Sequence, residues 1–265
     1  IKAGLRDKDE IVSVDGVPVN KWVTNNAKYI SASTDAARYL YSAKDILWSY
    51  TDSVKKLDVI RQGKPLTLTI HLQSQYIPTK NKEQDVTWRK LSSQIGYIDV
   101  RSMVEGVDKQ FSEALKSLNN LPYLIVDIRE NTGGNSSVGD FIAQHLIKGE
   151  RTIWNGTKLS PSADAYKGKV IVLEGPVTVS AAESFLITMK ESGDAIVVGT
   201  PSAGDTGGNP RLFKTTYGMY YWIPIGHLFK YSPKGFPLEG KGIKPHYLVP
   251  MKVNDFLLGK DTQLS

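Results

Sequence analysis

The chain has 265 residues, 40% hydrophobic and 23% charged, a balance that supports a packed core and excludes disorder and fibrous repeats. Its 33 basic and 27 acidic residues leave a net charge of +6, but the basic ones are scattered and accompany no nucleic-acid-reading motif, so no nucleic-acid partner is expected. The absence of cysteine excludes disulfides, thiolate metal sites and a cysteine nucleophile. No run approaches the roughly 18 apolar residues of a membrane helix, so no membrane segment is expected in this chain. The chain opens on Ile1, not Met, without a signal-peptide pattern, and its first residues read as the middle of a domain. The expectation is that a segment precedes it.

Residues 1–22 hold an alternating strand (Ile11, Val12, Val14) that runs into Asp15-Gly16, a pair suited to a hairpin turn because glycine accepts positive φ. Residues 30–50 place Ala, Leu, Tyr and Lys at helical spacing, and residues 54–72 alternate around Gln62-Gly63-Lys64 as a second hairpin. Together they predict a small β-rich module over residues 1–75, followed by a polar, Pro-containing linker over 76–87. From 88 to 265 the period changes. Strands are predicted at 95–103, 123–129, 169–175 and 195–200, with helices at 107–120, up to 149, and at 181–193. Apolar runs without alternation, separated by helices, predict a parallel sheet buried on both faces, hence an α/β domain. Residues 211–265, richer in aromatics and Pro, predict hairpins and loops that cover one end of the sheet.

Four segments between these elements can carry chemistry. DIRENTGGN (127–135) puts Gly133 and Gly134 between a buried strand and a helix, where backbone N–H groups can face an anion, or where a turn simply needs glycine. GPVTVSAAESF (175–185) puts Ser180 at a helix start. There it either caps the helix, with Glu183 completing a capping box, or acts as a nucleophile beside the Ala181 N–H. GTPSAGDTGGNP (199–210) is a Gly-rich loop that lacks the Gly-Lys-Ser/Thr ending of a phosphate loop. FPLEGKGIKPHYLVP (236–250) holds Glu239 ahead of two glycines, as a turn acid or a site acid.

In this order the segments resemble the tail-specific, or C-terminal-processing, serine peptidase family. AGLRDKDEIVSVDGVPV resembles the later half of that family's PDZ module, DIRENTGGN its oxyanion turn and SAAE its nucleophile motif, while EGKGIKPH resembles its Glu-Gly-x-Gly-Ile-x-Pro-Asp signature with His246 in place of Asp. The resemblance implies a crotonase/ClpP-like peptidase core behind a partial, N-terminally truncated PDZ-like module. It implies Ser180 as nucleophile, an oxyanion hole from the Ala181 N–H and one glycine of Gly133-Gly134, and hydrolysis of polypeptide substrates through an acyl-enzyme without a cofactor. By family analogy it also implies a bacterial periplasm or cell-envelope location.

The general base is where the sequence departs from the pattern. The family's Ser-Lys branch carries a lysine where this chain has Asp205, expected to be exposed with an ordinary pKa near 4 and little proton affinity. The other branch, similar to the tricorn core, uses His with a Glu and a second Ser, and its Glu falls at about Glu239. Its His lies before the PDZ module, so the base is expected from a preceding N-terminal segment or a partner chain. Of the four histidines, His71 and His145 read as packing or surface residues, and His227, followed by His246, is the local candidate base. No two have metal-ligand spacing, so no metal is expected. The rival readings are a non-catalytic peptide- or ligand-binding member of the same fold and an acyl-CoA enzyme of the crotonase group. The sequence leaves the oligomeric state open, a homo-oligomer included.

Overall fold

The computed structural model describes residues 4–49, 51–72, 84–206, 208, 210–225 and 232–265. The chain divides into two compact units, residues 1–82 and 83–265.

In the first unit β1 (Glu10–Val14), β2 (Val17–Pro18), α1 (Val19–Ala27), α2 (Asp35–Lys44), β3 (Val54–Arg61) and β4 (Lys64–His71) follow one another. The sheet order is β2-β1-β3-β4, with every pairing antiparallel. Both predicted hairpins form, and each turn has two residues of positive φ, Asp15 (51°) with Gly16 (77°) and Gln62 (50°) with Gly63 (78°). Paired positive φ matches the right-handed twist of the strands. Lys64 is therefore a strand residue and not part of its turn. Helix α1 was not predicted; it packs Val23 into a core with Val14, Leu57 and Val59.

The second unit contains β5 (Val86–Lys90), β6 (Ile95–Val100), α3 (Val107–Leu118), β7 (Tyr123–Asp127), α4 (Ser136–Gln144), the short pair β8 (Arg151–Thr152) and β9 (Lys158–Leu159), and β10 (Lys169–Glu174). It continues through α5 (Ala181–Ser192), β11 (Ala195–Gly199), the hairpin β12 (Pro210–Lys214) and β13 (Tyr220–Pro224), β14 (Tyr247–Leu248) and α6 (Val253–Leu257). A six-stranded sheet runs β14-β11-β10-β7-β6-β5, parallel as expected except for β5, which pairs antiparallel with β6. β5 starts inside the stretch read as linker; its residues after Val86 are exposed, so an edge strand there looks polar in sequence. Residues 76–83 of that stretch lie outside the described ones.

The helices cover one face of the sheet; on the other, the neighbouring Ile125 and Ile171 are half-buried and Ile196 is 44% exposed, so the expected burial on both faces is not met. Helix α3 turns Val107, Phe111, Ala114, Leu115 and Leu118 inward at helical spacing. Helix α5 is buried around most of its circumference, through Ala182, Phe185, Leu186, Ile187 and Met189. They close over Leu124, Val126, Val170, Val172 and Val197 of the central strands. Each buried large side chain contributes about 1.5–3 kcal/mol, so the sheet and α5 are the rigid part on which the loops sit. Just beyond β7, Arg129 donates to Asp127 (2.6 Å) and Asp261 (2.7 Å) and fastens the C-terminal tail to the sheet end. The β12–β13 hairpin is exposed along both strands.

Candidate active site

Ser180 occupies the junction of β10 and α5. The approach to it is pinned from below: the Thr178 hydroxyl donates to the Ile128 carbonyl (2.8 Å), and the Val179 N–H to the Asn131 carbonyl (3.2 Å). Ser180 then adopts φ 58° and ψ −122°, a backbone conformation that L side chains rarely take. Such strain costs about 1–3 kcal/mol and persists only where neighbours over-determine it. Here it turns a half-buried serine out at the head of a buried helix. The predicted capping interaction is present on its Glu183 side, where the carboxylate accepts the Ser180 N–H at 3.3 Å.

The glycine turn lies against this serine. Asn131, wholly buried, donates to the Val100 carbonyl (2.8 Å) and accepts the Gly133 N–H (2.9 Å). Met103 brackets Gly134 by donating to the Gly133 carbonyl (2.8 Å) and accepting from the Asn135 N–H (2.7 Å). A Cβ on Gly133 would stand 2.8 Å from the Ser180 Cβ and 2.7 Å from the Val179 carbonyl, so only glycine fits. A Cβ on Gly134 would meet the Met103 carbonyl at 2.5 Å. The Gly133 N–H is thus committed to Asn131. The Gly134 and Ala181 N–H groups donate to no other described residue.

Glu183 does more than cap. Only 1% exposed, its carboxylate accepts the Ser202 hydroxyl (2.5 Å) and the N–H groups of Gly204 (2.8 Å) and Asp205 (3.1 Å) besides that of Ser180. Burial pushes its pKa up to about 7 against the pull of those donors. One carboxylate therefore latches loop 202–206 to the nucleophile turn, and the Asp205 carbonyl returns the contact by accepting the Ser180 N–H (3.1 Å). Glu239, half-buried, accepts the Thr206 N–H at 3.2 Å, and the Gly240 N–H donates to the Gly204 carbonyl (2.8 Å). Ser180, Asp205, Thr206 and Glu239 are so linked in one run of contacts. Asp205 is not the exposed acid expected from its Gly-rich surroundings. It is half-buried, and burial first and the charge of Glu239 second raise its pKa.

The described histidines of this unit make contacts of their own. His227 lies outside the described residues. His246 accepts the Val197 N–H at Nδ1 (2.9 Å) and donates its own N–H to the Val197 carbonyl (2.8 Å), which ties it to β11; burial lowers its pKa. His145 caps α4 with its ring nitrogen 2.9 Å from the Phe141 carbonyl, and His71 ends β4 in the other unit. Neither His145 nor His246 forms a hydrogen bond with Ser180.

One buried acid escaped the sequence reading. Glu174 ends β10 wholly buried, and neither carboxyl oxygen finds a hydrogen bond among the described residues. Burial pushes its pKa up to about 9, with Lys190 opposing. The Ser202 N–H also eases the shift, but it is committed to the Ile243 carbonyl at 3.2 Å. The only hint in sequence was a charge closing an apolar run.

The fold is one seen before. It matches the solved structure of mature CPAF complexed with lactacystin at a TM-score of 0.76, with 14% identity, over 97% of this chain and 76% of that one. It matches the photosystem II D1 C-terminal processing protease at 0.56, with 21% identity, over 99% and 70%. Residues 94–249 match Peptidase family S41, and residues 1–72 match the N-terminal domain of Bacteroidetes peptidases of that family. The chain belongs to peptidase family S41. A carboxyl-terminal-processing protease of Picosynechococcus is 25% identical over 99% of this chain and 61% of its own length. The carboxy-terminal processing protease CtpB of Bacillus subtilis is 25% identical over 99% of this chain and 52% of its own. The chain thus spans between half and two thirds of the length of these relatives.

Proposed function

We propose that the chain is the catalytic part of a serine peptidase that cleaves polypeptides through an acyl-enzyme on Ser180. The observation that carries this reading is the strained Ser180, set at the head of α5 with a glycine turn pressed against it. In the proposed reaction a base takes the Ser180 hydroxyl proton as Oγ attacks the scissile carbonyl carbon. The carbonyl oxygen becomes an oxyanion held by the Gly134 and Ala181 N–H groups, the free members of the Gly133, Gly134 and Ala181 set. The C–N bond then breaks, the leaving amine takes the proton, and water hydrolyses the ester by the same route. Glu239 orients the base side of the site through its link to the loop that touches Ser180.

The base itself is proposed to be a histidine in a segment preceding Ile1, as in the tricorn-like branch, or one brought by a partner chain. The remaining parts of the reading are that the first unit is a partial PDZ-like module, that the second has a crotonase-like core, and that the protein works at the bacterial cell envelope. The likeness to carboxyl-terminal-processing proteases and the Bacteroidetes N-terminal domain support them.

A fluorophosphonate probe followed by intact mass tests the assignment on this chain and on a form extended at its N-terminus. Labelling of the extended form at Ser180, lost in Ser180→Ala, is the expected result. Labelling elsewhere, or of neither form, rejects the nucleophile and favours a binding protein on a peptidase fold.

A further inference from the structure

The hairpin β12–β13 is a two-stranded sheet that pairs with no other described strand, and the side chains on both of its faces are exposed. The register sorts them. Leu212 opposite Trp222, with Tyr220 two residues away, makes one face, and Phe213 opposite Tyr221, with Ile223, makes the other. Trp222 is 65% exposed and Tyr220 62%, while Tyr217 and Met219 at the tip reach 90% and 64%. The hairpin is nevertheless well formed. The Thr215 N–H donates to the Met219 carbonyl (2.8 Å), the Gly218 N–H donates to the Thr215 carbonyl (3.0 Å), and the Phe213 and Tyr221 rings stack with their centres 5.6 Å apart. A two-stranded hairpin that buries neither face is marginal in water, and a continuous apolar surface left in solvent marks an interaction site. Its charges have one sign: Arg211 and Lys214 lie on the strands, and no acidic residue stands anywhere from 206 to 238.

This pattern separates the occupants. A second copy of the chain would present the same patch and bring cations together with no acid between them. A folded partner covers one face of a hairpin and leaves the other wet, whereas a lipid interface surrounds both. The side chains agree with lipid. Tryptophan and tyrosine settle at headgroup level, where the ring meets hydrocarbon and the polar atom stays hydrated, and basic residues beside them meet the negative surface of an anionic leaflet. We propose that the β12–β13 hairpin docks this protein on the surface of an anionic lipid bilayer, with Tyr217, Tyr220, Tyr221 and Trp222 in the headgroup layer. It does not span the bilayer. Each strand has five residues, about 17 Å at 3.4 Å per residue, short of the roughly nine to eleven residues of a spanning strand, and its unpaired outer edges keep to the hydrated layer. β12 begins four positions after Thr206, whose N–H Glu239 accepts, so the foot of the hairpin lies within about 14 Å of that contact. Docking would hold the loop latched to Ser180 close to the bilayer surface. Lipid docking needs no catalysis, so it stands or falls apart from the peptidase reading.

Flotation with vesicles tests this on the unsubstituted chain, with phosphatidylcholine alone and with phosphatidylcholine mixed with phosphatidylglycerol. The expected result is at least tenfold stronger partitioning onto the mixed vesicles, weakened by added salt. Arg211→Gln/Lys214→Gln should abolish the preference for the mixed vesicles, and Tyr220→Thr/Trp222→Thr should lower partitioning at least tenfold. All four side chains are exposed, so both variants should keep the melting curve of the unsubstituted chain. Brominated phosphatidylcholine in the mixed vesicles gives a reading that does not depend on losing the binding: it should quench tryptophan emission, and most of that quenching should vanish in Trp222→Phe. Absence of flotation with the mixed vesicles, or flotation that both hairpin variants retain, overturns the proposal. A chain that ignores vesicles but sediments as a dimer split by Trp222→Thr overturns it in favour of a second copy. One that ignores vesicles but binds an acidic peptide through Arg211 and Lys214 overturns it in favour of a polypeptide partner.

Discussion

Replacing Glu174 by leucine should strip the protein of a large part of its sensitivity to rising pH. The carboxyl is wholly buried, its oxygens without a hydrogen bond among the described residues, and its pKa is lifted from 4.5 to about 9. A carboxyl whose folded pKa exceeds its unfolded value binds its proton more tightly when folded. Stability is then greatest below the unfolded value, falls across the window between the two, and levels off above the folded one. At pH 7.5 the protein is three units into that window, and at about 1.4 kcal/mol per unit the loss is about 4 kcal/mol. Leucine has a similar volume and no charge, so packing changes little. Urea unfolding at pH 5 and pH 8.5, on both proteins, measures the difference directly. Glu183, lifted to about 7, contributes a slope of the same sign that ends sooner, and that part should persist in the variant. A stability gap between the two proteins that stays constant from pH 5 to 8.5 would refute the reasoning, because it would mean that Glu174 titrates alike folded and unfolded.

Two further substitutions separate chemistry from folding. Ser180→Gly should abolish probe labelling as Ser180→Ala does, yet raise stability by about 1 kcal/mol relative to Ser180→Ala, since glycine adopts φ 58° without strain; equal melting of the two variants would argue that the turn is relaxed. Glu239→Gln should lower the turnover of the N-terminally extended protein at least tenfold while moving its melting temperature by less than about 3 °C, for it makes its contact with Thr206 from a half-buried position. Unchanged kinetics would remove Glu239 from the site.

Much of the framework could be read in the chain because the physics there is local. The apolar runs of β7 and β10 announce central strands of a parallel sheet, although their alternate positions Ile125 and Ile171 are only half-buried because no helix packs on that face. Asp15-Gly16 and Gln62-Gly63 announce hairpins through the φ values they tolerate. Ser180 and its glycine turn fall between strand and helix because the periodicity changes on either side of them. What escaped was set by partners far away in sequence. Asp205 looks solvated among glycines, but Glu239, 34 positions later, folds over it. Glu183 fits a capping box so well that its grip on Ser202, Gly204 and Asp205 leaves no trace in the pattern. Helix α1 follows a proline and holds few apolar residues, so only its packing through Val23 reveals it.

The close approaches around Ser180 also shape how this protein can drift. Added Cβ atoms at Gly133, Gly134 and Gly242 would lie 2.3–2.8 Å from neighbouring atoms, mostly backbone carbonyl oxygens that cannot swing aside. Every codon change away from glycine adds at least a methyl group, so these three positions have no mild alternatives. Exposed positions such as Lys241 and Lys244 admit many. In a saturation library selected only for folded protein, the site would stand out as a hollow of refused methyl groups, and its outline would be drawn before any substrate were found.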